Sequence, residues 1–207
     1  MPFIYADVPH IRKHGPSGYI RYQTYKDWLR DEFTFRCVYC LERERWYPNG
    51  HAGFGVDHVK PKGHAEYAHL ICYYPNLVYT CNRCNTAKKE SILINPCEVA
   101  FGDHLKIDAD GEIIGLTIEG CRIINILGLD LRLSTQERKT KLRIRSLHRR
   151  YPADEEVRAL YLDAFGFPED LPDLSVQLPA ENTKSDGLSQ SYHHQRGAGI
   201  LPETYGV

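Results

Sequence analysis

Three patterns along the chain predict a mixed α+β fold. Apolar and aromatic residues recur at helical spacing in residues 19–33, two Cys-x-x-Cys pairs enclose a segment rich in Gly and aromatic residues, and Asp110-Gly111 separates two apolar stretches. The first pattern is that of an amphipathic helix, and the last is a strong β-hairpin signal. With 207 residues the chain can form one core, or a small core domain with an appended segment.

The elements before residue 93 are predicted from spacing and composition. Residues 19–33 are expected to form a helix that leads into the first Cys pair. The composition of residues 34–89 favours short strands and loops, followed by a helix that begins near Cys84 or Asn85.

A hairpin and a helix are predicted next. The hairpin occupies residues 105–117, with its turn at Asp110-Gly111. Residues 120–127 have a helical pattern, and Gly128 is the expected stop.

Two further helices follow. Ser134 and Glu137 have the spacing of a capping box, which predicts a helix through the basic run with Leu142 and Leu147 among its buried contacts. The last helix, over residues 153–165, is expected to end at Gly166 and Pro168.

The composition changes after residue 168, where Pro, Gly, Ser, Asn and Gln become frequent. Such a segment is predicted to be an irregular tail that builds little core, either a flexible terminus or an arm that docks a partner.

Bulk properties limit the function classes. No apolar run approaches the roughly 20 residues of a membrane span and no secretory signal is recognised, so we expect a cytoplasmic protein without membrane contact. The net charge of −1 argues mildly against a nucleic-acid binder. Residues 138–150, however, carry seven Lys and Arg and no acid, so a local basic face for DNA or for an acidic partner stays open.

Four of the seven cysteines form two pairs of identical spacing, Cys37/Cys40 and Cys81/Cys84. Two such pairs supply the four thiolates that zinc takes in closed structural sites, and zinc is more consistent with a reducing compartment than disulfides are. The alternative is two unrelated Cys pairs. The remaining cysteines are expected to pack as small apolar groups; they are Cys72, Cys97 and Cys121.

Between the two pairs lie residues suited to phosphodiester hydrolysis. His58 is a candidate general base, because an unperturbed imidazole has a pKa of about 6.5. Asp57 offers a carboxylate oxygen and Asn85 an amide oxygen, which are donors that Mg²⁺ accepts. Taken alone, the Asp-His pair is consistent with a solvated turn, and Asn76 and Asn85 with turn or cap residues.

The segment that contains these residues resembles a known protein family. The order Cys-x-x-Cys, Asp-His-x-x-Pro, Asn and Cys-x-x-Cys-Asn-x-x-Lys over residues 35–89 is similar to the zinc-containing branch of the HNH endonucleases, also named ββα-metal or His-Me finger nucleases. The resemblance implies a zinc-stapled ββα-metal (HNH) finger. With the elements predicted above, the chain is expected to have an α+β fold in which this finger has flanking helices, a β-hairpin and an irregular C-terminal tail. The expected segments are an N-terminal helical segment (1–34), an HNH module (35–92), a hairpin and helical segment (93–167) and a tail (168–207) that could be a partner-docking arm.

Carried over residue by residue, the resemblance makes His58 the general base and Asp57 a ligand of a catalytic Mg²⁺ or Mn²⁺. Asn76 would constrain the loop between the strands, and Asn85 would be the second metal ligand. The last position departs from the family name, which has His there, so this chain is an HNN variant that favours Mg²⁺ or Mn²⁺ over nitrogen-preferring metals. Substrate contacts are expected from Lys88 and its neighbour Lys89, for which a solvated helix face is the equal alternative. Lys60 and Lys62, which lie close to His58 in sequence, are further candidates.

The segment after the motif resembles stand-alone HNH proteins of two-component anti-phage systems of the Septu or retron-linked type. That resemblance implies DNA as substrate and an ABC-like ATPase as protein partner, with the tail as a docking element. Two alternatives stay open: a catalytically silent zinc module that binds DNA or protein, and an enzyme active only within a complex.

Overall fold

The structure is a computed structural model that describes residues 3–177, 181–182 and 184–205. Its fold is mixed α+β, as predicted, with small antiparallel sheets of two strands. They pair β1 (Pro16–Ser17) with β6 (Glu181–Asn182), β2 (Phe54–His58) with β3 (Leu77–Cys81), and β4 (Leu105–Ile107) with β5 (Ile113–Gly115). In chain order the helices and strands are β1 (Pro16–Ser17), α1 (Lys26–Glu32), β2 (Phe54–His58), β3 (Leu77–Cys81), α2 (Asn82–Lys88), β4 (Leu105–Ile107), β5 (Ile113–Gly115), α3 (Ile118–Leu127), α4 (Arg132–Arg150), α5 (Glu155–Phe165), β6 (Glu181–Asn182) and α6 (Tyr192–Gly197).

The centre of the fold is the hairpin-like pair β2 and β3, followed directly by α2. The register pairs Phe54 with Cys81 and His58 with Leu77, and every residue of β3 is buried. Helix α2 begins two to three residues earlier than predicted, because Cys81 serves as its N-cap and its Sγ accepts from the backbone N–H of Cys84 at 3.5 Å.

The main core joins α1 to β3 and α3. Trp28 and Leu29 of α1 are fully buried in one cluster with Leu77, Ile123 and Leu127. The predicted helix over residues 19–33 is shorter in the structure, since a 3₁₀ turn over Tyr22–Tyr25 precedes α1.

The predicted hairpin is confirmed. Strands β4 and β5 pair in register, and Gly111 in the connecting turn has φ +80°, a conformation that favours glycine. Helix α3 follows with Thr117 as its N-cap, where Oγ1 accepts from the N–H of Gly120 at 3.1 Å, and the predicted stop at Gly128 adopts the left-handed conformation.

The predicted capping box at the start of helix α4 is wrong. The helix begins at Arg132, so Ser134 and Glu137 lie inside it and no side chain caps its N-terminus. Leu142 is only half-buried and Leu147 is 39 % exposed. The neighbouring His148 faces α5 instead, because its ring stacks on Tyr161 at 4.0 Å.

The basic run on α4 is partly internal. Arg138 is buried and donates to the backbone oxygens of Gly111 at 2.6 Å and Leu129 at 3.0 Å, so it holds the hairpin turn against α4. Arg145 is buried as well, whereas Arg143 and Arg149 are exposed. Arg138 and Arg145 are therefore not part of an exposed basic face.

Helix α5 ends before Gly166, as predicted, and begins after Asp154, whose carboxylate accepts from the N–H of Val157 at 3.0 Å. Its start lies two residues after the predicted one.

The segment after residue 168 contributes more core than predicted. Leu171 and Tyr205 are buried with Phe167 and Phe35 in a second apolar cluster, and the Tyr192 N–H donates to the carboxylate of Asp31 at 2.7 Å. The expectation of little core was wrong because these scattered apolar residues gather around Phe167 and Phe35, with the Tyr205 ring centroid 4.2 Å from that of Phe167. Residues 178–180, 183 and 206–207 of this predicted tail, and residues 1–2 of the predicted N-terminal segment, lie outside the described residues.

The three cysteines outside the two pairs differ in exposure. Cys72 and Cys97 pack against the main core, but Cys121 of α3 is exposed, contrary to the prediction. Within the ranges described above, no helix has both the length and the apolar character needed to cross a membrane.

Candidate functional site

The four paired cysteines converge on one point. Cys37, Cys40, Cys81 and Cys84 are buried, and their sulfur atoms all lie within 4.8 Å of one another. None forms a disulfide. The two Cys pairs are therefore one cluster that could hold a metal ion such as zinc.

The spacing of the sulfurs fits zinc. Four thiolates at about 2.3 Å from a tetrahedral ion are about 3.8 Å apart, and the Sγ atoms of Cys40 and Cys81 are separated by 3.7 Å. Burial raises the pKa of the Cys37 thiol, whereas hydrogen bonds from Cys37 and its neighbours lower that of Cys81. A metal ion binds the thiolate form, so a cation in this cluster would displace the thiol protons to solvent.

The cysteine cluster fixes the Cys37 loop to β3. The Val38 N–H donates to Tyr79 O at 3.0 Å, and Leu41 closes the loop with a left-handed φ of +61°. Since Cys81 and Cys84 flank the start of α2, an ion in this cluster would hold the helix at a fixed place beside β2.

Asp57 lies near the end of β2 and is buried. Its Oδ1 accepts from the His58 N–H at 2.8 Å and from Lys88 Nζ at 3.4 Å, and its Oδ2 accepts from the Tyr39 hydroxyl at 3.1 Å. Burial raises the pKa of Asp57, and the Lys88 charge acts in the opposite direction. The carboxylate is thus a desolvated anion partly neutralised by one lysine.

His58 is held in one orientation. Its Nε2 lies 3.0 Å from Ile71 O, and its ring meets Tyr22 edge-on with centroids 4.7 Å apart. Because a carbonyl only accepts, Nε2 must carry the proton, which leaves Nδ1 as the basic nitrogen. Burial lowers the pKa of His58, so the neutral, basic form is favoured near pH 7.

Asn76 connects the chain on either side of the loop between β2 and β3. Its Oδ1 accepts from the Lys60 N–H at 2.8 Å, and its Nδ2 donates to Lys60 O at 3.1 Å and Leu70 O at 3.3 Å. All of these side-chain hydrogen bonds are to backbone atoms, so Asn76 positions the loop and does not face the reacting groups.

Asn85 shares a cleft of about 270 Å³ with Asp57 and His58. Asn85 lies on α2 opposite Gly55, and a Cβ atom added to Gly55 would be 3.8 Å from the Asn85 side-chain nitrogen. Among the described residues, nothing forms a hydrogen bond with this amide, so its oxygen is open to a ligand. The donors in the cleft are therefore a carboxylate and a free amide oxygen, a set that suits Mg²⁺ or Mn²⁺.

No protein-family profile, curated protein or solved structure matches this chain.

Three of the lysines predicted to contact substrate lie in different surroundings in the structure. Lys62 is exposed in the cleft, where its Nζ donates to the Tyr22 hydroxyl at 2.7 Å. Lys60 is exposed outside the cleft, beside Tyr67.

Lys88 is the residue whose predicted role the structure changes. It is 1 % exposed, and its Nζ donates to His58 O at 2.7 Å besides contacting Asp57. In this structure a phosphate contact by Lys88 is excluded, because the ammonium group is enclosed beneath the cleft.

Three residues at the site were given no role there from the sequence. Tyr22 and Tyr39 contact His58 and Asp57 from distant parts of the chain, so no local pattern marks them. Glu90 lines the cleft beside Lys89, which the sequence marks, with Lys88, as a solvated residue or a phosphate contact. Lys89 ends α2 with a φ of +50°, rare for a residue other than glycine, and this conformation is the one local feature that distinguishes it.

Together these residues supply a neutral, oriented imidazole, a desolvated carboxylate, an open amide oxygen and an exposed cation in one cleft. Such a set can take a proton from water and can hold a divalent cation beside an anionic substrate.

Proposed function

We propose that this chain is a metal-dependent endonuclease of the HNH, ββα-metal type that hydrolyses phosphodiester bonds in DNA. The observation that carries the proposal is the cleft itself. A general-base candidate, His58, and two oxygen donors, Asp57 and Asn85, meet where β2 and α2 adjoin the four-cysteine cluster.

In the proposed mechanism His58 Nδ1 takes a proton from the attacking water. The Ile71 carbonyl holds Nε2, and burial keeps the imidazole neutral, so both its tautomer and its orientation are set before the substrate binds. Lys62 is placed at the cleft to attract the phosphate. A cation held by Asp57 and Asn85 would stabilise charge on the phosphorus oxygens and the leaving 3′ oxygen.

The four cysteines would hold zinc as a closed structural site. With every ligand position taken by a thiolate, such an ion has no place for water or substrate. Its role in the proposal is to fix α2, and with it Asn85, relative to β2.

A second candidate, a silent zinc module that binds DNA or protein, is favoured by one observation. Both oxygens of Asp57 already have protein partners, Tyr39 and Lys88. If Lys88 permanently takes the place of a cation, the cleft is inert.

Asn85 variants discriminate between these two functions. In the nuclease, Asn85→Asp keeps an oxygen donor and should retain most nicking of supercoiled plasmid with Mn²⁺, whereas Asn85→Ala should lower the rate by at least about tenfold and raise the Mn²⁺ concentration needed. The silent module predicts no nicking by any variant and unchanged DNA binding.

The defence-system context is part of the proposal and rests on the loose sequence resemblance after residue 93. The test is to add an ATPase found in a neighbouring gene: the partner is supported if the isolated chain does not cut DNA and the mixture does. Nicking by the pure chain at the same rate with and without that ATPase would remove the partner from the proposal.

A further inference from the structure

One wall of the cleft comes from a part of the chain that the proposed HNH module (35–92) does not include. Tyr22 belongs to the 3₁₀ turn that precedes α1, and it lines the cleft together with His58 and Lys62. Its ring meets the His58 ring edge-on, with centroids 4.7 Å apart. The N-terminal segment therefore places a phenol at the cleft, beside the candidate general base.

The hydrogen bonding of the Tyr22 hydroxyl leaves its proton free. Lys62 Nζ lies 2.7 Å from the phenol oxygen. An ammonium group can only donate, so the phenol oxygen accepts in this bond and keeps its own O–H proton for another partner. Among the described residues, no acceptor forms a hydrogen bond with that proton.

Lys62 also keeps unused donors. An ammonium group carries three N–H bonds, and within the described ranges Lys62 forms only the hydrogen bond to Tyr22. The two side chains thus present several free donors from two atoms that are in direct contact.

This pair of side chains is suited to an anion that enters the cleft. Tyr22 is half-buried and Lys62 is exposed, and both line the cleft of about 270 Å³. A phenol that accepts from an ammonium group is polarised by it, which makes its remaining proton a better donor. Charge-assisted hydrogen bonds are the strong ones in phosphate recognition. Neighbouring donors, one of them charged, therefore match the oxygens of a phosphate group.

We propose that Tyr22 is a substrate-binding residue whose hydroxyl proton, together with the Lys62 ammonium group, holds the nonbridging oxygens of the scissile phosphate. The inference rests on the proposed function, because it takes a phosphodiester as the ligand of the cleft. Lys62 attracts the phosphate by charge, and Tyr22 adds direction, since its ring is held against His58. The phosphate is then held beside the base, and the segment before the module belongs to the active site.

Tyr22→Phe is the decisive variant, because it keeps the ring against His58 and removes only the hydroxyl. In full-length zinc-loaded protein with Mn²⁺, its kcat/KM on a short DNA duplex should fall at least about tenfold, the scale of a lost hydrogen bond to a charged group. Tyr67→Phe is the matched control. That phenol also lies beside a lysine, Lys60, but it does not line the cleft, so the control should cut like wild type.

A second background separates direct phosphate binding from a positioning effect on Lys62. If Tyr22 holds the phosphate itself, Tyr22→Phe should still lower kcat/KM at least about threefold when it is made in Lys62→Met. No further loss in that background would mean that Tyr22 acts only by holding Lys62, and the proposed contact would fail.

Binding without catalysis keeps the inference apart from the proposed function. Without added divalent cation, the fluorescence anisotropy of a labelled short duplex should give a Kd at least about fivefold higher for Tyr22→Phe than for wild type and Tyr67→Phe. If wild type binds DNA but does not cut it with Mn²⁺, and this difference in Kd is present, the nuclease fails and the phosphate contact stands.

The results that would overturn the inference depend on what wild type does. For a wild type that cuts, equal kcat/KM in Tyr22→Phe overturns it and leaves the nuclease in place. For a wild type that binds without cutting, an equal Kd in Tyr22→Phe overturns it. The absence of any DNA binding by wild type would overturn the inference and the proposed function together.

Discussion

The Lys88 ammonium group lies 3.4 Å from a carboxylate oxygen of Asp57 and 2.7 Å from the backbone oxygen of His58. One buried cation of α2 thus contacts both residues of the Asp-His pair on β2. Lys88 and Asp57 are almost fully enclosed, so each is the other's main source of charge compensation.

Lys88→Met should destabilise the fold, because it leaves the Asp57 carboxylate buried without a countercharge. Breaking such a pair typically lowers the free energy of unfolding by about 3 kcal/mol, which urea unfolding would measure. If a cation binds at Asp57, Mn²⁺ should raise Tm more in Lys88→Met than in wild type, since the metal takes over the compensation. Lys60→Met, which changes an exposed lysine outside the cleft, is the matched control; equal Mn²⁺ shifts in all three proteins would contradict a cation at Asp57.

Zinc content tests the cysteine cluster. Freshly purified protein should contain about one zinc per chain, and Cys84→Ser should lose it together with the ordered start of α2, as in small domains that a structural zinc stabilises. Cys121→Ser removes an exposed thiol outside the cluster and should keep the metal. Less than half an equivalent of zinc in wild type, or full zinc in Cys84→Ser, would contradict a four-thiolate site.

The pH dependence of nicking reports on His58. A general base works only when unprotonated, so the rate should fall about tenfold per pH unit below its pKa and level off above it. Burial lowers this pKa, so the inflection should lie below about 6.5. Lys62 contributes to the lowering by its positive charge, and Lys62→Met should therefore move the inflection upward. Lys60→Met, outside the cleft, should leave it in place; the same inflection in both variants would mean that Lys62 does not act on the base.

The packing of the C-terminal segment predicts a stability effect far from the cleft. Phe167 lies against Phe35 and Tyr205, with ring centroids 6.4 and 4.2 Å away, so Phe167→Ala should leave a cavity. A loss of about 3 kcal/mol in the free energy of unfolding is expected. Val176→Ala, at an exposed apolar residue of the same segment, should change it by less than about 0.5 kcal/mol. Equal stability of both variants would identify the segment as a loosely attached arm.

The sequence predicted what depends on local pattern. The Cys spacing anticipated the four-sulfur cluster, and Asp110-Gly111 and Gly128 marked a turn and a helix end because their backbone conformations favour glycine. Two helix starts were missed: α2 starts early because Cys81 caps it, and α4 starts before the apparent capping box.

For the candidate site, the sequence predicted several of the residues that meet in the cleft, but it predicted their roles only in part. A lysine three residues after Asn85 has the same local pattern whether it points to solvent or inward. Its burial depends on the packing of α2 against β2, which brings Lys88 to Asp57 across 31 positions of sequence. Tyr22 and Tyr39 are likewise recruited by tertiary packing alone.

The most direct test of the proposed nuclease compares wild type with His58→Ala on supercoiled plasmid in Mg²⁺ or Mn²⁺, after both proteins are shown to be folded and to hold equal zinc. With His58 as the general base, we expect nicking by wild type and a rate at least about a hundredfold lower for the variant, the scale expected for loss of a general base. Equal rates in the two proteins would contradict it.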